Sequence, residues 1–174
     1  MRIAISGSHA TGKTSLARLF AEMQPAYLIV EEPYYLMVSE GTLFSDPPTF
    51  EDFESQLERS AALVSAESSV DVLFDRCPID FLAYLYAFRD ADLRDLPRCF
   101  EIVKESVRTI DLVVYVPIES PDLVGMGSHE YSRLRRWVDR TLRGFLLDDE
   151  LGLGLNVVEV RGSVEERVRQ LADQ

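Results

Sequence analysis

The chain has 174 residues, enough for one domain that buries its own core, and its 30 acidic against 18 basic residues give a net charge of −12. Such a surface repels DNA, RNA and anionic membranes, so a small molecule is the expected partner, with no nucleic acid and no membrane. Cys77 and Cys99 have no C-x-x-C spacing and no nearby histidine pair, which excludes a disulfide framework and a zinc site, and no apolar run approaches the ~18 residues of a membrane span.

Arg2 to Ser6 is a short, mainly apolar run that reads as a buried parallel strand. It leaves no room for a signal peptide, so the expected location is cytoplasmic. Gly7-Ser8-His9-Ala10-Thr11-Gly12-Lys13-Thr14 follows and matches the phosphate-binding pattern G-x-x-x-x-G-K-[ST] at every fixed position, with helical spacing from Ser15 onward. The two glycines let the backbone turn its N–H groups against a polyphosphate at a helix N-terminus. Residues Gly7 through Ser15 are therefore the expected nucleotide-binding set, with Lys13 reaching the outer phosphates and Thr14 offering its hydroxyl to Mg²⁺.

A second apolar run, 26–30, ends abruptly at Glu31-Glu32-Pro33. In an open parallel sheet the strand ends face the ligand, so both carboxylates fall on the side of the phosphate loop. Residues 33–48 read as a loop or broken helix whose apolar content either covers something or packs on the core, and Thr49 caps a long amphipathic helix that carries Phe50, Phe53, Leu57, Ala61 and Val64. A third strand, 70–74, closes on Asp75-Arg76. An Asp after an apolar strand, paired with such a loop, suits support of Mg²⁺; the alternative is a helix-capping role ahead of Pro78. Arg76 can contact phosphate or substrate, whereas Cys77 and Tyr84 read more readily as core than as substrate contacts.

The segment from Pro78 to Arg89 is apolar on more than one face and reads as a buried helix, and a further helix runs to about Thr109. A fourth strand covers 111–116. Pro121, Gly125 and Gly127 then mark a hinge, so 117–140 is expected to act as a mobile lid. The long helix after Ser128 holds Arg133, Arg135, Arg136, Arg140 and Arg143, and Arg133, Arg136 and Arg140 share one face by spacing. That face either closes over phosphates or is solvated by ion pairs with Asp139 and the acids at 148–150. The run 153–160 includes a fifth strand, and Ser163-Val164-Glu165-Glu166 is a capping box opening the last helix. Neither repeats nor linkers interrupt the chain, and one domain over 1–174 is expected.

The phosphate loop, Glu-Glu-Pro-Tyr after strand two, Asp-Arg-Cys-Pro-Ile-Asp-Phe-Leu-Ala-Tyr after strand three and the Arg-rich helix together resemble the small P-loop kinase-like ATPases. Their relatives include deoxynucleoside kinases, thymidylate kinases and the nicotinamide riboside kinase domain of the bifunctional NAD regulator. The resemblance implies an α/β three-layer sandwich with a five-stranded parallel sheet in the order 2-3-1-4-5. It implies an ATP-dependent phosphotransferase using Mg²⁺, acting on a hydroxyl or phosphate of a nucleoside, nucleotide or related metabolite. By the same resemblance Glu32, or Glu31, is the base, Asp75 and Arg76 form the acidic-Arg pair, and lid arginines fall among Arg133, Arg135 and Arg136. The chain lacks an Asp-Gly-x-Arg lid entry after strand four. The other functional class left open is a nucleotide-binding ATPase or switch acting on a protein, and the oligomeric state stays open, a homodimer included.

Overall fold

Short apolar runs alternating with amphipathic ones build the α/β layering that the spacing predicts. The structure, a computed structural model, describes residues 1–89, 96–119 and 129–174, with the side chains of 89 and 129–131 outside that description. The expected lid at 117–140 therefore lies in part, at 120–128, outside the described residues.

Five strands, β1 (Arg2–Ser6), β2 (Leu28–Val30), β3 (Val72–Asp75), β4 (Leu112–Tyr115) and β5 (Val157–Glu159), form one sheet. All neighbours pair in parallel, in the order β2-β3-β1-β4-β5, the order the resemblance implies. Seven helices are described: α1 (Lys13–Met23), α2 (Pro33–Ser39), α3 (Phe50–Ala66), α4 (Pro78–Arg89), α5 (Pro97–Ser106), α6 (His129–Leu146) and α7 (Val164–Ala172). The fifth strand is shorter than its apolar run, because Gly152 and Gly154 hold positive φ of 63° and 60° and keep the preceding residues irregular.

Side chains alternate across a strand, so each strand feeds two cores. Ile3, Ile5, Leu73, Leu112 and Val114 pack with Leu16 and Phe20 of α1 and with Val168 and Leu171 of α7. On the other face Ala4, Val72, Phe74, Val113 and Tyr115 meet Phe53 and Leu57 of α3, Leu82 and Leu85 of α4, and Val138 and Leu142 of α6. Helix starts are set by local chemistry. Thr49 and Asp52 form a reciprocal capping box at α3, and Ser163 and Glu166 form another at α7. Because the strands are parallel, Ser6, Val30, Asp75, Tyr115 and Glu159 end on one edge of the sheet, where the loops that follow them converge. No described helix is long and apolar enough to cross a membrane.

Candidate active site

The phosphate loop leaves β1 at Gly7, where a Cβ would run into the carbonyl of Val116, and enters α1 at Gly12 with φ 89°. Between them each successive carbonyl meets a basic side chain. Arg76 Nη1 donates to Gly7 O at 3.0 Å and Lys13 Nζ to Ser8 O at 2.6 Å. Arg135 donates through Nε to His9 O and through Nη2 to Ala10 O, both at 2.8 Å, and Arg167 Nη1 donates to Thr11 O at 2.7 Å. Gly12 O accepts from Leu16 N at 3.1 Å, the first bond of α1. Burial, with a lesser push from Arg76, lowers the Lys13 pKa to about 8.

Thr14 and Asp75 come together as the spacing predicts, with Thr14 Oγ1 donating to Asp75 Oδ2 at 2.7 Å. The other carboxylate oxygen, Asp75 Oδ1, is buried with no hydrogen-bond partner, and burial raises the carboxyl's pKa. A hydroxyl beside an under-satisfied carboxylate suits Mg²⁺, which takes few protein ligands and keeps water and phosphate oxygens for the rest. Among the described residues no group of three or more His, Cys, Asp or Glu side chains could enclose a metal by itself.

Arg76 follows Asp75 with a left-handed φ of 96°. That turn aims its guanidinium back across the site, where Nε pairs with Glu32 Oε1 and Nη1 lies 3.5 Å from Asp80 Oδ1. Its plane also lies over the rings of Phe81 at 5.8 Å and Tyr84 at 5.6 Å. Burial opposes charge on both partners. Glu32, together with Tyr84 and Asp80, outweighs it at Arg76, whose pKa rises, while Arg76 and then Lys13 outweigh it at Glu32, whose carboxyl is held below the usual range. Asp80, fully buried, accepts from Gly7 N and Cys77 N, both at 2.8 Å. The backbone-capping role weighed for Asp75 thus belongs to Asp80, which fastens the start of α4 to the phosphate loop.

Glu32 separates two hollows. One, about 260 Å³, is lined by His9, Glu32, Tyr34, Pro48, Phe53, Gln56, Arg76, Phe81, Tyr84 and Leu134. The other, about 420 Å³, is lined by Thr14, Ala17, Arg18, Ile29, Glu31, Glu32, Tyr35 and Asp75. The first is mainly aromatic. Phe53 stacks on Tyr84 with centroids 4.6 Å apart and planes 9° from parallel, and the Tyr84 hydroxyl accepts from His9 N at 3.0 Å. Tyr84 is thus both core and cavity wall, which a reading of the sequence as core does not capture. Cys77 is a buried free thiol.

The arginine helix divides differently from its charge spacing. Arg133, Arg136 and Arg140 are exposed, whereas Arg135 is only 3% exposed and lies against the phosphate loop. Asp139, weighed as an ion-pair partner in the alternative reading of this helix, accepts from the Tyr115 hydroxyl at 3.0 Å and from Ile118 N at 3.0 Å. Asp80, Gln56 and Arg167 are the site neighbours that motif reading misses. A signal for the arginines exists. Arg135 stands in register with Val138, Leu142 and Phe145, and Arg167 with Val168 and Leu171, so each is a charge set into an apolar stripe.

The AAA domain family model matches residues 2–167. The chain belongs to the AAA domain family. No curated protein matches this family member in sequence. Its backbone is similar to deoxyadenosine kinase from M. mycoides with bound dATP, at TM-score 0.68 and 16% identity over 99% of this chain and 98% of that one. It is also similar to the NadR protein in complex with NAD and AMP-PNP, at TM-score 0.69 and 18% identity over 98% of this chain and 48% of that one. Thymidylate kinase from Candida albicans aligns at TM-score 0.63 and 14% identity, over 98% and 88%. The fold is that of P-loop kinases.

Proposed function

We propose that the protein is an ATP-dependent phosphotransferase that moves the γ-phosphoryl group of Mg·ATP to a hydroxyl of a small, planar acceptor of nucleoside type. The observation that carries this reading is the place of Glu32, a carboxylate kept ionised by Arg76 at the junction of an aromatic cavity and the phosphate loop. Lys13 and the loop amides hold the polyphosphate. Thr14 and Asp75 would hold Mg²⁺, which would supply charge neutralisation to the phosphates. Glu32 then orients the acceptor hydroxyl and takes its proton as the phosphoryl group transfers, with Arg76 fixing the carboxylate. Arg133 and Arg136, exposed on α6, are the side chains that would reach the transferring group when the 117–140 region closes and excludes water.

A nucleoside is favoured over a nucleotide acceptor because Arg76 is the one arginine or lysine among the described cavity residues, and Glu32 and Asp80 already engage it. The paired Phe53 and Tyr84 rings offer a flat wall, and Gln56, buried beside them, offers its amide oxygen to a base edge while its nitrogen bonds Asp52 O at 3.0 Å. Buried free thiols at Cys77 and Cys99 accord with the proposed cytoplasmic location. Coupled ADP release with Mg·ATP and a panel of nucleosides, nucleoside monophosphates, nicotinamide riboside and sugars tests the reading, with Lys13→Ala as blank. Acceptor-dependent turnover that vanishes in the blank is expected. ATP binding with no stimulation by any acceptor would overturn it in favour of a switch acting on a protein.

A further inference from the structure

In a chain of net charge −12, four basic side chains are buried around one loop: Lys13, Arg76, Arg135 and Arg167, none more than 6% exposed. Burying a cation is costly unless it is well paired. Two of the four are accounted for by the proposed chemistry. Lys13 sits on Ser8 O, within reach of an incoming phosphate, and Arg76 serves Glu32. Arg135 and Arg167 instead spend donors on the main-chain carbonyls of His9, Ala10 and Thr11.

Peptide geometry gives those bonds a consequence. In a trans peptide the C=O and the following N–H point in opposite directions. Drawing the carbonyls of His9, Ala10 and Thr11 toward two arginines therefore turns the N–H groups of Ala10, Thr11 and Gly12 the other way. Positive φ at Ala10 (53°) and Gly12 (89°) folds those amides into a concave nest, the arrangement that receives anions. We propose that Arg135 and Arg167 are positioning residues for nucleotide binding, holding the phosphate loop in its anion-receiving shape from outside and without touching phosphate.

Arginine suits the task because its planar fork bridges two acceptors at fixed spacing. Arg135 spans consecutive carbonyls. Arg167 spans Thr11 O and Glu119 Oε1, the latter at 3.1 Å, and the same carboxylate oxygen accepts from Gly162 N at 2.6 Å. The loop is thereby tied to the end of β4 and to the turn between β5 and α7. Ordering it before the ligand arrives removes that entropic cost from binding.

The inference rests on the reading of this loop as a nucleotide site, so its test has one arm without nucleotide. In the free protein, NMR order parameters of the Ala10, Thr11 and Gly12 amides are expected near the rigid value of about 0.85, falling below about 0.6 in Arg135→Met and Arg167→Met while sheet amides stay unchanged. In the second arm, calorimetry with Mg·ATP and Mg·ADP is expected to show both affinities falling together by about tenfold, since the loop grips the shared phosphates. KM for ATP should rise with kcat at saturation retained. Arg167→Lys should fail to restore the affinity, and Glu119→Gln should give a smaller effect of the same pattern. These two milder variants decide the matter for Arg167 if its methionine variant fails to fold, and Arg135→Lys, read by the same amides, decides it for Arg135. Unchanged order parameters would overturn the proposal. So would a loss confined to ATP and kcat with ADP binding intact, the mark of an arginine that contacts the transferring group. If the wild type binds neither nucleotide, the nucleotide reading fails, and the order parameters still decide whether the arginines hold the loop.

Discussion

The two sides of the site are built to different tolerances. On the phosphate side, each carbonyl from Gly7 to Thr11 is held by a buried basic side chain, and Asp80 ties the first amide. On the acceptor side, α2 and the loop after it leave Tyr34, Tyr35 and Val38 substantially exposed and Leu43 94% exposed. Polyphosphate is the same ligand whatever the acceptor, so its grip can be fixed by the scaffold. The proposed acceptor would meet the buried Phe53 and Tyr84 on one side of its cavity and the half-exposed Tyr34 of α2 on the other, and only that α2 side can change without unsettling the fold.

The sharpest way to break this contrast lies at Glu32, where the two sides meet. Glu32→Gln is expected to cut acceptor-dependent turnover by about 10³-fold while ATP affinity stays within about twofold, read by coupled assay and calorimetry. Equal loss of both would merge the two sides into one unit. Next in size is Arg76→Met, which strands a buried carboxylate. It should cost about 3 kcal/mol at pH 7 in denaturant unfolding. The sign of its pH dependence follows from Glu32. In the wild type the carboxyl is held low, so its contribution is present above about pH 4.5 and is lost as acid protonates it. In Arg76→Met the same carboxyl, buried without its partner, favours the protonated form. The stability gap should therefore narrow between pH 7 and pH 4, and Glu32→Gln in the Arg76→Met background should remove that narrowing.

Tyr34→Ala is expected to raise KM for the acceptor about fivefold, leaving KM for ATP unchanged, because Tyr34 lines the aromatic cavity and not the hollow beside Thr14 and Asp75. Smallest of all, Leu43→Ser should change unfolding stability by less than about 0.5 kcal/mol. A larger loss would mean that the acceptor wall is packed more firmly than its exposure implies.

The same division governed what could be read from the residues alone. The glycine loop, the Asp-Arg pair after β3, the Thr49 cap and the Ser163 capping box are local patterns, set by spacing over a few residues, and they stand where that spacing puts them. The strand order came through the resemblance. Arg135 and Arg167 were not legible as loop contacts, since they meet carbonyls about 125 and 156 residues away and charge spacing pointed to Arg133, Arg136 and Arg140 instead. Helix α6 is rotated by its apolar stripe, and the arginine lying in that stripe goes inward with it. Gln56 was hidden for a related reason: a buried amide among apolar neighbours has no motif, only a place.

The left-handed backbone at Arg76 carries a consequence for how the protein can drift. A side chain at φ 96° costs of order 1 kcal/mol that glycine would not incur, but Arg76→Gly would also strand the buried Glu32 carboxylate, a loss of about 3 kcal/mol that outweighs the relief. Stability and the proposed turnover therefore both hold arginine at this single codon as long as Glu32 is present. A lineage that no longer needed the chemistry would find glycine there a downhill step only once Glu32 had gone too.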